Sequence, residues 1–124
     1  MQTRQIERSA WPAFLDSFSR QHEGWLVSLE ILGPDLGAQV EERELPFAGI
    51  TDESDETEGN TIIIMTGGKA DDHVNHTISR PTEISLEQTD EGADAALAIR
   101  SADGVTALLR FRSAVLPEMV DAMS

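Results

Sequence analysis

At Gly24 the hydrophobic period of this chain changes from 3.6 residues to 2, and that change limits what it can fold into. Before Gly24, residues Trp11, Phe14, Leu15 and Phe18 fall at i, i+3, i+4 and i+7, the single apolar stripe of an amphipathic helix. After it, Trp25, Val27, Leu29 and Ile31 alternate with Leu26, Ser28, Glu30 and Leu32, the pattern of a half-buried strand. The stripe predicts a helix over about residues 9–23. Ser9 is its expected cap, Pro12 falls in its first turn, His22 in its last, and Gly24 can close it in the left-handed conformation.

The alternation continues with interruptions that carry information. Gly33, Pro34, Asp35 and Gly37 form a turn, and an extended stretch follows over about residues 38–50. Its phase changes on the way: Ala38 and Val40 agree, Leu45 and Phe47 lie on the other phase, and Glu41, Glu42, Arg43 and Glu44 stand between. A bulge there would restore one buried face, and Pro46 points to an edge near that position. The hydrophilic run 52–58 predicts an acidic loop over about 51–60. Ile62, Ile63, Ile64 and Met65 are apolar on both faces, as in a central strand. From His73 to Gln88 a bent or interrupted strand is expected around Arg80 and Pro81.

The last hairpin can be tested for register. A two-residue turn at Asp103-Gly104 would pair Ile99 with Leu108 and divide the apolar residues between faces. A three-residue loop, Ala102-Asp103-Gly104 with Gly104 left-handed, pairs Ile99 with Ala107 and Leu97 with Leu109. It gathers Leu97, Ile99, Val105, Ala107, Leu109 and Phe111 on one face and sends Arg100, Thr106, Arg110 and Arg112 to the other. The second register is the expected one. Together these patterns predict an α+β or mainly β single domain over 1–124, with the sheet over about 25–112 and a C-terminal tail over 113–124. Its N-terminal helix packs on a strongly bent antiparallel sheet, or small partly open barrel, of five to six strands. A short C-terminal helix starting at Pro117 would carry Val120 and Met123.

Charge narrows the function. The net charge is −14, and between residues 23 and 99 only Arg43, Lys69 and Arg80 stand against 18 carboxylates. Binding to nucleic acid or an anionic membrane relies on clustered cations, so both are disfavoured. The start of the chain lacks the basic and apolar pattern of a secretion signal, which leads to an expected cytoplasmic location. No cysteine is present, so thiolate nucleophiles, thiolate metal sites and disulfides are all excluded.

Catalytic and metal motifs are weak. Asp71, Asp72, His73 and His76 form the one cluster with metal or acid–base potential, but two histidines three apart on a strand point to opposite faces. His76, in phase with Val74 and Ile78, reads as a partly buried, hydrogen-bonded residue. The 52–58 run lacks the ligand spacing of an EF-hand loop. Gly67-Gly68-Lys69 lacks the upstream glycine and the following Ser or Thr of a phosphate loop. No Gly-x-Ser-x-Gly elbow is present, and Glu41 and Glu42 are adjacent rather than convergent. No catalytic, metal or cofactor-binding residue is therefore assigned. The expected interaction surface is Arg100, Leu108, Arg110 and Arg112, a local basic patch with one apolar contact. Its arginines would neutralise carboxylates of the acidic middle segment, or bind an acidic partner or another copy.

The stretch from Phe14 to Glu30, with Arg80-Pro81-Thr82 and Ala107 to Arg112, resembles a family of small acidic bacterial proteins of unknown function over nearly the whole length. That resemblance implies a bacterial protein and carries no activity, cofactor or catalytic residue. The expected function is a non-enzymatic interaction or accessory domain with a protein partner or as a homo-oligomer. A small-ligand-binding β domain is the alternative, and a metal-dependent hydrolase centred on Asp71 to His76 a third reading.

Overall fold

The computed structural model describes residues 2–34, 37–55, 59–67 and 74–111. The elements run β1 (Gln2–Ile6), a 3-10 turn (Arg8–Ala10), α1 (Trp11–His22), β2 (Leu26–Gly33), β3 (Gly37–Asp55), β4 (Gly59–Thr66), β5 (Val74–Ser79), β6 (Pro81–Gln88), β7 (Asp94–Ser101) and β8 (Thr106–Phe111). All eight strands belong to one open antiparallel sheet, in the order β1-β6-β7-β8-β2-β3-β4-β5. The expected count of five to six strands is thereby corrected. The expected C-terminal helix at Pro117 lies outside the described residues.

Two features account for the extra strands. β1 reads Gln-Thr-Arg-Gln-Ile, with Ile6 alone buried, so its sequence shows no alternation. It is an edge strand paired only with β6, from Gln2 opposite Gln88 to Ile6 opposite Ile84, and polar residues suit an edge open to solvent. The broken stretch 73–88 counts as two strands because Arg80 takes a φ of 53° between β5 and β6. These strands are joined by a single residue yet stand near opposite flanks of the sheet, so the sheet curves until its flanks approach each other. Arg80 fastens the junction: its N–H donates to the Asn60 carbonyl at 3.0 Å, and its carbonyl accepts from Ala102 N–H at 2.9 Å.

The acidic loop expected over 51–60 is corrected as well. β3 continues to Asp55 and pairs with β4 from Phe47 opposite Thr66 to Asp55 opposite Gly59. Backbone register with the apolar β4 prevails over the hydrophilic side chains, as strand formation depends on cross-strand context more than on residue preference. The phase change earlier in β3 is a bulge, as the patterning required. Pairing with β2 slips on both sides of Leu29, so that Leu29 faces Glu42 and Glu30 faces Val40, and Glu44 has a φ of 50°. Pro46 stands opposite Leu26 where β3 passes from β2 to β4.

The helix begins at Trp11, the first residue of its stripe, later than the expected start at about residue 9 and without its expected cap. Ala10 is the N-cap and makes no side-chain capping bond, while Ser9 lies in the preceding 3-10 turn. Trp11, Leu15 and Phe18 are buried, and each contributes about 1.5–3 kcal/mol on leaving water. They meet Val27, Leu29, Ile84, Leu97, Ile99 and Leu109 from one part of the sheet and Phe47, Ile50, Ile62 and Ile64 from the other. Ser19 holds α1 to β3: its hydroxyl accepts from Ile50 N–H at 2.9 Å and donates to the Ile50 carbonyl at 3.0 Å. One hydroxyl thus stands in for a strand partner at Ile50, beyond the last β2 pairing at Pro46.

The β7–β8 hairpin has the three-residue register. Leu97 faces Leu109 and Ile99 faces Ala107, Ser101 N–H donates to the Val105 carbonyl at 2.9 Å, and Gly104 has a φ of 88°. Asp103 stabilises the turn, its carboxylate accepting from the Ser101 hydroxyl and, at 3.2 Å, from Val105 N–H. These bonds, the Ser101 hydroxyl foremost, hold the exposed carboxyl below the usual carboxylate range. A depressed folded-state value means that this support is complete above the unfolded value, near pH 4, and fades as pH falls through the folded one. We predict that Asp103→Ala lowers the urea midpoint at neutral pH and that this difference closes toward pH 2. A constant difference from pH 7 to pH 2 in unfolding curves would refute the assignment.

Candidate functional site

The last turn of α1 carries a side chain that is polar in sequence and buried in the fold. His22 is 2% exposed, because Gly24 and Trp25 fold the chain back so that its ring lies among aromatic residues. It stacks on Phe111 at a centroid distance of 4.7 Å and an interplanar angle of 14°, with Phe18 at 4.2 Å and Trp25 at 4.7 Å. Both ring nitrogens have partners. Nδ1 lies 2.8 Å from the Phe18 carbonyl, which can only accept, so Nδ1 carries a proton. Nε2 lies 2.9 Å from Asp94 Oδ2 at the start of β7, and one proton joins the two. Asp94 Oδ1 accepts from Gln88 Nε2 at 2.9 Å, which ties β6 into the same network. With neither nitrogen free, His22 fastens α1 to the sheet and has no lone pair for a reaction.

Beside this network, α1 and the β1–β6–β7 flank line an open pocket of about 190 Å³. Phe14 and Leu86 form apolar wall, while Arg4, Ser17, Gln21 and Gln88 supply polar groups. The Arg4 guanidinium lies 5.9 Å from the Phe14 ring centroid, within cation–π range. Sequence patterning gave no sign of this pocket. Arg4 comes from an unpatterned edge strand, and Asp94 reads as one more carboxylate in an acidic chain.

On the opposite face of the sheet, β7, β8 and β2 place Arg100 opposite Thr106, Ala98 opposite Leu108 and Ala96 opposite Arg110, with Glu30 opposite Leu108. Arg100 and Arg110 are exposed, whereas Leu108 and Ala96 are 8% and 2% exposed and lie outside the core cluster. Arg110 Nε donates to Glu30 Oε2 at 2.9 Å, a diagonal pair between β8 and β2. Glu83 stands opposite Arg100, and Glu87 opposite Ala96, from β6.

The family described as a family of unknown function, DUF5335, matches residues 2–119. The chain belongs to DUF5335. It is similar to an uncharacterized protein of Aquifex aeolicus (strain VF5), 28% identical over 120 residues that cover 95% of this chain and all of that one. No solved structure matches it.

For this DUF5335 member, Arg100, Leu108 and Arg110 share one face as the hairpin register requires, and Arg112 lies outside the described residues. Part of the basic patch is neutralised by Glu30, which belongs to the acidic middle segment. Asp71, Asp72 and His73 lie outside the described residues, as does Lys69. His76 is half-buried and faces Ile64, in phase with Val74 and Ile78. Of the acidic run, Asp52 is half-buried in phase with Ile50 while Glu53 is exposed, so these neighbours point to opposite faces and cannot share an ion. Among the described residues no group of three or more His, Asp or Glu converges as metal ligands, and no helix is long and apolar enough to cross a membrane.

Proposed function

We propose that this chain is a non-enzymatic interaction domain whose outer β6–β7–β8–β2 face meets a second copy of itself. The carrying observation is the make-up of that face. Arg100 and Arg110 stand exposed on it between Glu30 of β2 and Glu83 and Glu87 of β6, around the half-buried Ala98, while Ala96 and Leu108 beneath them are buried. Both signs are present on that face, with one arginine on each of the two middle strands and carboxylates on the strands flanking them. A two-fold axis displaced toward one edge of this face, so that the copies overlap by half, sets the arginines of one copy against the carboxylates of the other.

Two chains of net charge −14 repel each other at long range, so association should need moderate salt. Sedimentation velocity at about 150 mM salt, where the Debye length is about 8 Å, is expected to show a dimer at micromolar concentration. Arg100→Glu with Arg110→Glu changes the charge by two units per site, from −14 to −18, and removes both arginines from the face. That variant should sediment as a monomer, with an unfolding midpoint close to that of wild-type protein diluted until it is monomeric, because an exposed pair such as Arg110–Glu30 contributes only about 0–1 kcal/mol. A wild-type chain that stays monomeric, or a double variant that dimerises equally well, would overturn the reading.

A further inference from the structure

We infer that the pocket between α1 and the β1–β6–β7 flank binds a small organic carboxylate, with Arg4 as its anion anchor. In a chain with nine basic residues against 23 acidic ones, Arg4 forms no ion pair among the described residues. Its guanidinium is held against the Phe14 ring rather than against a carboxylate, so its fork of donors remains open to a ligand. The one acidic side chain that lines the pocket is already engaged. Asp94 Oδ2 meets His22 Nε2, and Asp94 Oδ1 meets Gln88 Nε2, each at 2.9 Å. Both Asp94 oxygens are thus committed to protein partners.

Of the remaining polar groups, Gln88 Nε2 is spent on Asp94 Oδ1 and, at 3.5 Å, on the Gly92 carbonyl, and Ser17 supplies a neutral donor. Ser17 Oγ accepts from Gln21 Nε2 at 3.2 Å, which leaves the serine O–H free to donate into the pocket. The apolar wall of Phe14 and Leu86 favours an anion with a hydrocarbon part over a bare inorganic one. At about 190 Å³ the space falls below the roughly 300–1,000 Å³ of sites for drug-sized ligands, so the occupant is a short-chain acid.

The test is an NMR titration of the full chain, labelled with nitrogen-15, at constant ionic strength. The probes are propionate, lactate, inorganic phosphate and the neutral isostere propionamide. Propionate or lactate should give saturable shifts at the side-chain amides of Gln21 and Gln88. Arg4→Gln should weaken that binding by about tenfold or more, as expected for the loss of a hydrogen bond to a charged group. Arg20→Gln, which removes an exposed arginine paired with Asp16, should leave it unchanged. If Arg4→Gln disturbs the fold, Arg4→Lys keeps the charge without the planar fork and should also bind more weakly. No saturation with either carboxylate, an equal response to propionamide, binding of phosphate alone, or undiminished binding in the Arg4 variants would each overturn the inference.

Discussion

Replacing Asp94 by Ala is expected to lower the unfolding free energy by about 3 kcal/mol, the low end for breaking a buried ion pair, since the Asp94 side chain keeps 18% exposure. The cost arises at His22. Its Nδ1 proton is committed to the Phe18 carbonyl, and without Asp94 its Nε2 is left facing no partner in a cage of Phe18, Trp25 and Phe111. Asp94→Asn should cost less than half as much, because the amide N–H can donate to an unprotonated Nε2. The decisive measurement is a double-mutant cycle with His22→Phe, whose ring fills the aromatic cluster without needing the carboxylate. In that background Asp94→Ala should cost only about 1 kcal/mol, a coupling of about 2 kcal/mol, within the range seen for residues in direct contact. Strictly additive losses in urea unfolding would mean that His22 and Asp94 act separately.

That pair also marks where sequence reasoning ends. The helical stripe, the bulge in β3, the break at Arg80 and the β7–β8 register were all legible because each follows from a local period or a turn residue. Only one pairing at the last hairpin puts Leu97, Ile99, Ala107 and Leu109 on one face, and the fold uses it. The edge strand β1 left no such trace, since a strand open to solvent has no reason to alternate. The acidic end of β3 concealed itself in the same way, its carboxylates suggesting a loop while its backbone followed β4. Of the proposed interaction face, the shared orientation of Arg100 and Arg110 was readable, but their acidic frame was not. Glu30, Glu83 and Glu87 join them only through the order β6-β7-β8-β2, which no local pattern encodes. His22 was correctly placed in the last turn of α1, yet its burial depends on Asp94 arriving from the far side of the sheet order.

Trp11→Ala is expected to have the largest effect of any single change at the helix, about 3–5 kcal/mol, against a total stability of about 5–15 kcal/mol for a domain of this size. Trp11 is 1% exposed at the first turn of α1, and its loss leaves a cavity where the helix meets the sheet. It also holds β1. The indole Nε1–H donates to the Ile6 carbonyl at 3.0 Å, at the end of a strand whose other residues are exposed, and Arg8 lies over the indole ring with its guanidinium 4.8 Å from the centroid. Trp11→Phe separates the two roles, since it keeps most of the apolar bulk and deletes the donor. It should cost about 1 kcal/mol of hydrogen bonding plus the smaller ring, and leave the Ile6 carbonyl unsatisfied. Amide hydrogen exchange reads the difference by location. Protection along the β1–β6 ladder, from Gln2–Gln88 to Ile6–Ile84, should fall further in Trp11→Phe than protection along β2–β8. If both ladders lost protection equally, Trp11 would be one more core side chain, and β1 would be held by its strand pairing alone.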